Sequence, residues 1–269
     1  MPELPEVQTI IDDISKRIVG KTIKDVAYIT NSIWRNEIPE RTRFLKARVS
    51  GLERKGKHIL VHLSDDHTLI IHLKMTGKLT VCRPDDPIIK HTHFIVRFAR
   101  MELRFNDIRR FGYLDFTESS RLNDLKYLAD LGPDALGISE YGFVNLVRSK
   151  NSRIKSLLLD QNSISGLGNI YADEALYAAG INPTRKSSGI SPARIKRLHL
   201  NIVVILKKAL ASRGSSVSDY VDGSGKQGEF QNFHRVYGRT GKPCNKCGSS
   251  IKKKTVAGRS SHYCPRCQR

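Results

Sequence analysis

Residues 152–183 read SRIKSLLLDQNSISGLGNIYADEALYAAGINP. Two runs with helical spacing flank NSISGLG. The first is predicted to end near Asp160 or Gln161. The second is predicted to start near Asn169, as its cap, and to stop at Gly180, with Pro183 beyond. A helix that begins after glycines offers unpaired N–H groups and the positive end of a dipole, which together suit a phosphate. Taken alone, the stretch fits an ordinary helical hairpin equally well. Its surroundings shift the balance. The 269-residue chain carries 46 Lys and Arg against 26 Asp and Glu, a net charge of +20. Such an excess favours a polyanionic partner, with nucleic acid foremost.

Downstream, SPARIKRLHLNIVVILKKALASRG continues the helical pattern, with Ser191 as cap and Pro192 at the first position. The following GSSVSDYVDGSGKQGEF is rich in Gly and Ser, and its composition predicts a mobile loop over 214–228. Beyond it, Cys244 and Cys247 form one C-x2-C pair and Cys264 and Cys267 a second, the spacing of a four-thiolate zinc site. With no position left for water, such a zinc is structural. The sixteen residues between the pairs suit two strands and a turn, with Arg259 at the tip. Residues 223–269 hold six Lys and five Arg against Glu229 alone, or +10. Four thiolates on one zinc ion leave about +8. Cys82, far from this cluster, reads as a small buried hydrophobe.

Upstream, PEVQTIIDDISKRIV (5–19) is predicted to be an amphipathic helix that stops at Gly20. HILVHL, TLIIHL, KLTVC, HFIVRFA and MELRFN are short, β-branched and partly alternating, and turn-like clusters separate them. Residues 22–118 should therefore form a two-layer β structure. A helical half begins near residue 121, and GPDALG (132–137) reads as a linker. The expected class is α+β and multidomain, divided as 1–131, 132–222 and 223–269.

No apolar run reaches the roughly 18 residues of a membrane span. Glu3, Glu6, Asp12 and Asp13 occupy the start, where a secretion signal would be basic and then apolar. The expectation is a soluble intracellular protein. Lacking a coiled-coil pattern, it is expected to be a monomer.

MPELPEV, NDIRRFG, SGLGNIYADEALYAAGI and VYGRTGKPCNKC…VAGRSSHYCPRCQR together resemble the bacterial formamidopyrimidine-DNA glycosylases, essentially end to end. Leu4, where the related endonuclease VIII group usually has Gly, favours this branch. The resemblance implies an N-terminal β-sandwich with a flanking helix, a helix-two-turn-helix domain and a C-terminal β-hairpin zinc finger. It implies damaged double-stranded DNA as partner, one structural zinc ion per chain, and residence in the bacterial cytoplasm at the nucleoid. The implied activity is excision of oxidised purines followed by strand cleavage.

The same resemblance implies catalytic roles for Pro2, Glu3, Lys57 and Arg259, with Glu6 in support. Removal of Met1 would make Pro2 a terminal secondary amine. It implies DNA contacts at His72, His91, Arg109, Arg110, Lys155 and Asn169. Met75, Arg109 and Phe111 would fill the void left by a flipped nucleotide. Read without the family, these residues have plainer explanations: Glu3 and Glu6 as first-turn acids, Lys57 as solvated surface, Met75 as core. Two departures stand out, Lys74 where the family commonly has Gly and Ile108 where it commonly has Pro. Two alternatives remain open: an oxidised-pyrimidine glycosylase and a zinc-finger DNA-binding protein without chemistry.

Overall fold

The computed structural model describes residues 1–217 and 219–269. Its first compact unit comprises Met1–Ala129 with Ser212–Glu229, its second Asp130–Ala211 with Phe230–Arg269. These units cut across the three segments drawn from the sequence.

In the first unit, helix α1 (Leu4–Ile18) starts with Pro5 in its first turn and ends ahead of Gly20, whose φ of +79° needs no Cβ. Its buried stripe of Val7, Ile10, Ile11, Ile14 and Ile18 joins the main core. Eight strands follow: β1 (Asp25–Tyr28), β2 (Val49–Lys55), β3 (His58–Leu63), β4 (His67–His72), β5 (Gly77–Cys82), β6 (Thr92–Arg97), β7 (Glu102–Asp107) and β8 (Tyr113–Glu118). They form two four-stranded sheets, ordered β1-β6-β7-β5 and β2-β3-β4-β8. All neighbouring strands are antiparallel. Ile59, Val61, Leu69 and Ile71 of one sheet share a core with Leu79, Phe94, Val96 and Phe105 of the other, which is the two-layer structure expected. A short helix α2 (Lys126–Ala129) closes this part. Cys82 is half-buried on β5, an edge strand, rather than fully enclosed.

Over 214–228 the Gly/Ser-rich stretch forms no helix or strand among its described residues, and Ser218 lies outside them. Tyr220 enters the main core and Asp222 is wholly buried. The Asp222 carboxylate accepts from the backbone N–H of Ser224 and Lys226 and from the Arg213 guanidinium. A buried acid with this many donors fixes a loop that its glycines would otherwise leave loose.

The second unit holds α3 (Glu140–Arg148), α4 (Ile154–Leu159), α5 (Asn169–Ala179), α6 (Pro192–Ala211) and a hairpin of β9 (Lys252–Val256) and β10 (Arg259–Tyr263). Pro192 opens α6 as expected. Gly168, not Asn169, is the cap of α5, and Asn169 is its first helical residue. The Asn169 side-chain Oδ1 is buried with no hydrogen-bond partner among the described residues. At the other end, Gly180 adopts φ +72° as the C-terminal stop. Tyr177, Val236 and Ile251 pack with Cys244 and Cys264 into a small second core. Among the described residues, no helix is long and apolar enough to cross a membrane.

Candidate active site and metal centre

The start of the chain is built around Glu6. Its Oε2 accepts from the backbone N–H of Glu3 and its Oε1 from that of Ser215, each at 2.8 Å. Glu6 thus ties the first turn of α1 to the loop after Arg213. A Cβ on Gly214 would come within 2.9 Å of the Glu6 side chain, so glycine is required for that approach. Pro2, Glu3 and Glu6 are all buried.

A second group of candidates sits on three loops at one end of a sheet. Their junction is Asp107, at the end of β7 and wholly buried. One of its carboxylate oxygens accepts from the Thr76 hydroxyl and from the Arg109 N–H, the other from the Gly112 N–H at 2.7 Å. Its own N–H donates to the His91 carbonyl at 3.0 Å. Asp107 therefore joins the loops bearing Met75, His91 and Arg109–Phe111. Arg109 lies over the Phe111 ring at 4.6 Å, with both side chains exposed. Arg110 and His91 have φ of +54° and +67°, a region costly for residues with a Cβ. Asp107 holds them there. In NDIRRFG the arginine pair draws attention, and Asp107 stands out less. An acid two residues before an arginine pair was the available signal, but its partners come from strand pairing.

Lys74 shares the left-handed conformation, at φ +48°. A glycine would adopt it freely. Its Nζ lies 5.5 Å from the centre of the Tyr113 ring, a weak compensation. Lys74→Gly is expected to raise unfolding free energy by about 0.5–1 kcal/mol. Urea denaturation of the two proteins checks this, and an unchanged or lower midpoint would contradict it.

Behind Lys74 lies an aromatic cluster. His72 stacks on Tyr113 at 5.3 Å, and His58 Nε2 pairs with the Tyr113 hydroxyl at 2.7 Å. Burial brings the His58 pKa down to about 4, aided by the Lys74 and Arg35 charges and opposed by its bond to the Lys55 carbonyl. Burial likewise holds His72 well below its ordinary value, with the His58, Lys74 and Lys57 charges adding to the effect. Both rings are neutral near pH 7, so His72 contributes shape and a hydrogen-bond acceptor here rather than a cation. Its Nδ1 accepts from the Lys74 N–H at 3.0 Å. Lys57 is buried in the turn between β2 and β3, one residue before the strand begins.

Lys155, a DNA-contact candidate by resemblance, has a side chain that is 0% exposed. The Nζ donates to Asp173 at 2.6 Å and to the Ser260 carbonyl at 2.9 Å. Asp173 also accepts from the N–H and ring Nδ1 of His262, at 2.8 and 2.9 Å. This ion pair links α4, α5 and β10 within the second unit. Lys155→Ala would leave the buried carboxylate without its cation and is expected to cost about 3–5 kcal/mol. Thermal melts read this directly.

The four cysteines converge. All four Sγ atoms lie within 4.8 Å of one another. Cys244 and Cys267 are 3.9 Å apart, and Cys247 and Cys264 are 3.4 Å apart. Tetrahedral zinc with bonds of about 2.3 Å spaces its sulfurs by about 3.8 Å. The cluster therefore fits one zinc ion. The Tyr177 hydroxyl donates to Cys244 Sγ at 3.3 Å, an outer contact that orients the ligand. Arg259 is exposed beside the Ala257–Gly258 turn, at the hairpin tip as expected.

Comparison with known proteins accounts for this combination. Residues 1–114 match the formamidopyrimidine-DNA glycosylase N-terminal domain, and 131–221 match its H2TH domain. Residues 241–269 match the zinc finger found in FPG and IleRS. The formamidopyrimidine-DNA glycosylase of Geobacillus kaustophilus is 43% identical over 276 residues, covering 100% of both chains. That of Pelotomaculum thermopropionicum is 41% identical, covering 100% of this chain and 99% of its own. A crystal structure of a Lactococcus lactis FPG mutant with Fapy-dG-containing DNA superposes with a TM-score of 0.93 at 35% identity, covering 99% of each chain. The Lactococcus lactis protein bound to abasic-site DNA also gives 0.93, at 34% identity and with 99% of each chain covered.

These matches define a zinc-bearing, DNA-binding repair enzyme. The chain belongs to the formamidopyrimidine-DNA glycosylase family.

Proposed function

We propose that the protein excises oxidised purines, 8-oxoguanine and formamidopyrimidines, from duplex DNA and then cleaves the strand. The observation carrying this reading is the Glu6 clamp, which holds the Glu3 backbone and so positions the start of the chain. Once Met1 is removed, the Pro2 nitrogen is an amine. It attacks C1′ of the damaged nucleotide; the N–C1′ bond forms as the glycosidic bond breaks, and the base leaves with the electron pair and takes up the proton that the nitrogen loses. Glu3 donates a proton to the ring oxygen as the C1′–O4′ bond opens, giving an iminium ion. That cation acidifies C2′–H. Loss of this proton expels the 3′ phosphate, and a second elimination expels the 5′ phosphate.

Lys57, His91, Arg110, Asn169 and Arg259 hold the DNA backbone, while Met75, Arg109 and Phe111 occupy the space of the flipped nucleotide. The cation–π pair of Arg109 and Phe111 supports that role, since both groups are presented together. The enzyme works in the bacterial cytoplasm, at the nucleoid.

A second reading, excision of oxidised pyrimidines, is favoured by one finding: a Lactococcus lactis relative has been solved with DNA containing an oxidised pyrimidine. The test is a set of duplexes, each with one defined lesion. Faster release of 8-oxoguanine than of thymine glycol, leaving phosphate at both gap ends, supports the first reading. The reverse preference supports the second.

A further inference from the structure

The second unit contains an open cleft of about 420 Å³ between α5, α6, the Phe230–Phe233 turn and the Cys244–Cys247 knuckle. Phe230, Phe233, Val204 and Tyr177 make it apolar. An exposed stripe leads into it along α6, where Leu200 and Val204, one turn apart, are 61% and 53% exposed. Cations crown the cleft. Lys208 Nζ lies 3.8 Å above the Phe233 ring, and Lys246 Nζ lies 5.0 Å above Tyr177. Arg235 adds a third charge.

The carboxylate lining the cleft, on Glu174, is engaged by backbone donors rather than by these cations. It accepts from the backbone N–H groups of Arg235, Val236 and Tyr237, at 2.8–2.9 Å. Among the described residues, no ion pair engages Lys208, Arg235 or Lys246. Within the same unit, Tyr177 lies eight residues along α5 from Asn169, about 12 Å. Arg259 is at the opposite end of the hairpin from the knuckle. The cleft is therefore separate from Asn169 and Arg259, the positions of this unit assigned to DNA.

From this geometry we infer that the cleft docks a partner protein through an acidic peptide segment bearing one large apolar side chain. The side chain enters between Phe233 and Val204, and its flanking carboxylates meet Lys208, Arg235 and Lys246. Volume, apolar lining and uncompensated positive rim agree on that chemistry. A nucleic acid would satisfy the rim and leave the Leu200–Val204 stripe uncovered. The inference is independent of which lesion the enzyme excises.

The test uses the full-length zinc-loaded protein and a fluorescein-labelled six-residue peptide of three aspartates, two glycines and a terminal phenylalanine. Fluorescence anisotropy is expected to show saturable binding on the order of 10–100 μM. Replacing the phenylalanine by alanine, or the aspartates by asparagine, should weaken binding about tenfold or more. So should K208E and, independently, V204D, which alters an exposed helix position without touching the zinc ligands. Saturating undamaged duplex should leave the peptide bound. Equal binding of the alanine peptide, no effect of either variant, or full displacement by duplex would each overturn the inference. Those outcomes would make the peptide only a polyanion on a basic surface.

Discussion

Protein trimmed to Pro2 is expected to become covalently joined to lesion-bearing duplex under borohydride, and acetylation of that nitrogen should reduce the trapping rate at least about 100-fold. The estimate follows from amine ionisation. A terminal amine with a pKa near 7.7–8.0 is roughly 10–20% unprotonated at pH 7, whereas a lysine near 10.4 is about 0.04% unprotonated. Any lysine standing in for Pro2 would start a few hundredfold behind, before geometry is considered. Retention of Met1 should act as acetylation does, because the nitrogen is then an amide. Pro2→Gly keeps a terminal amine but not the ring that fixes its direction, so it should fall between the two. Binding is the internal control. The first turn of α1 is held by the Glu6 carboxylate on Glu3 and Ser215. Capped protein should thus bind lesion duplex with its affinity and melting temperature little changed. Normal cleavage by capped, zinc-loaded protein would refute the Pro2 mechanism while leaving the family assignment intact.

What the sequence made legible is what repeats locally. Helix α1, the short strands, the Pro192 start of α6 and the paired C-x2-C spacing each depend on neighbours within a few positions. The unread features depend on groups brought together by folding. Asp107 gains its role because β5, β6 and β7 pair so that Thr76 and His91 come to it. Lys155 looks like any lysine on a short helix until Asp173, eighteen residues away, is seen to neutralise it. The Gly/Ser-rich stretch has a loop's composition, yet one aromatic and one acid suffice to anchor it. Lys74 shows the reverse case. Its departure from the family's common Gly was visible at once, but the positive φ that makes it costly required the backbone.

Removing zinc is expected to unfold residues 241–269 and to reduce DNA affinity by about two orders of magnitude or more. The hairpin has little else to hold it. The five buried members of its core include two zinc ligands, Cys244 and Cys264. Strand β9 begins with Lys252, Lys253 and Lys254, all exposed, whose mutual repulsion opposes folding. Structural zinc supplies apparent folding energies of about 10–16 kcal/mol in small fingers, far more than this core can replace. The damage should spread within the second unit. Ser260 and His262 of β10 help satisfy Lys155 and Asp173, so loss of the hairpin leaves a buried ion pair short of partners. The predicted observation is release of one zinc ion per chain to a strong chelator, with protease sensitivity appearing between 241 and 269. The salt dependence of DNA binding should become shallower, because the basic hairpin no longer displaces counterions. Cys264→Ser should reproduce the effect without chelator. The β-sandwich unit, whose core includes no zinc ligand, should survive as a resistant fragment. Full DNA affinity in metal-free protein would mean that the hairpin folds and grips without its ion, and that the four thiolates do not supply its stability.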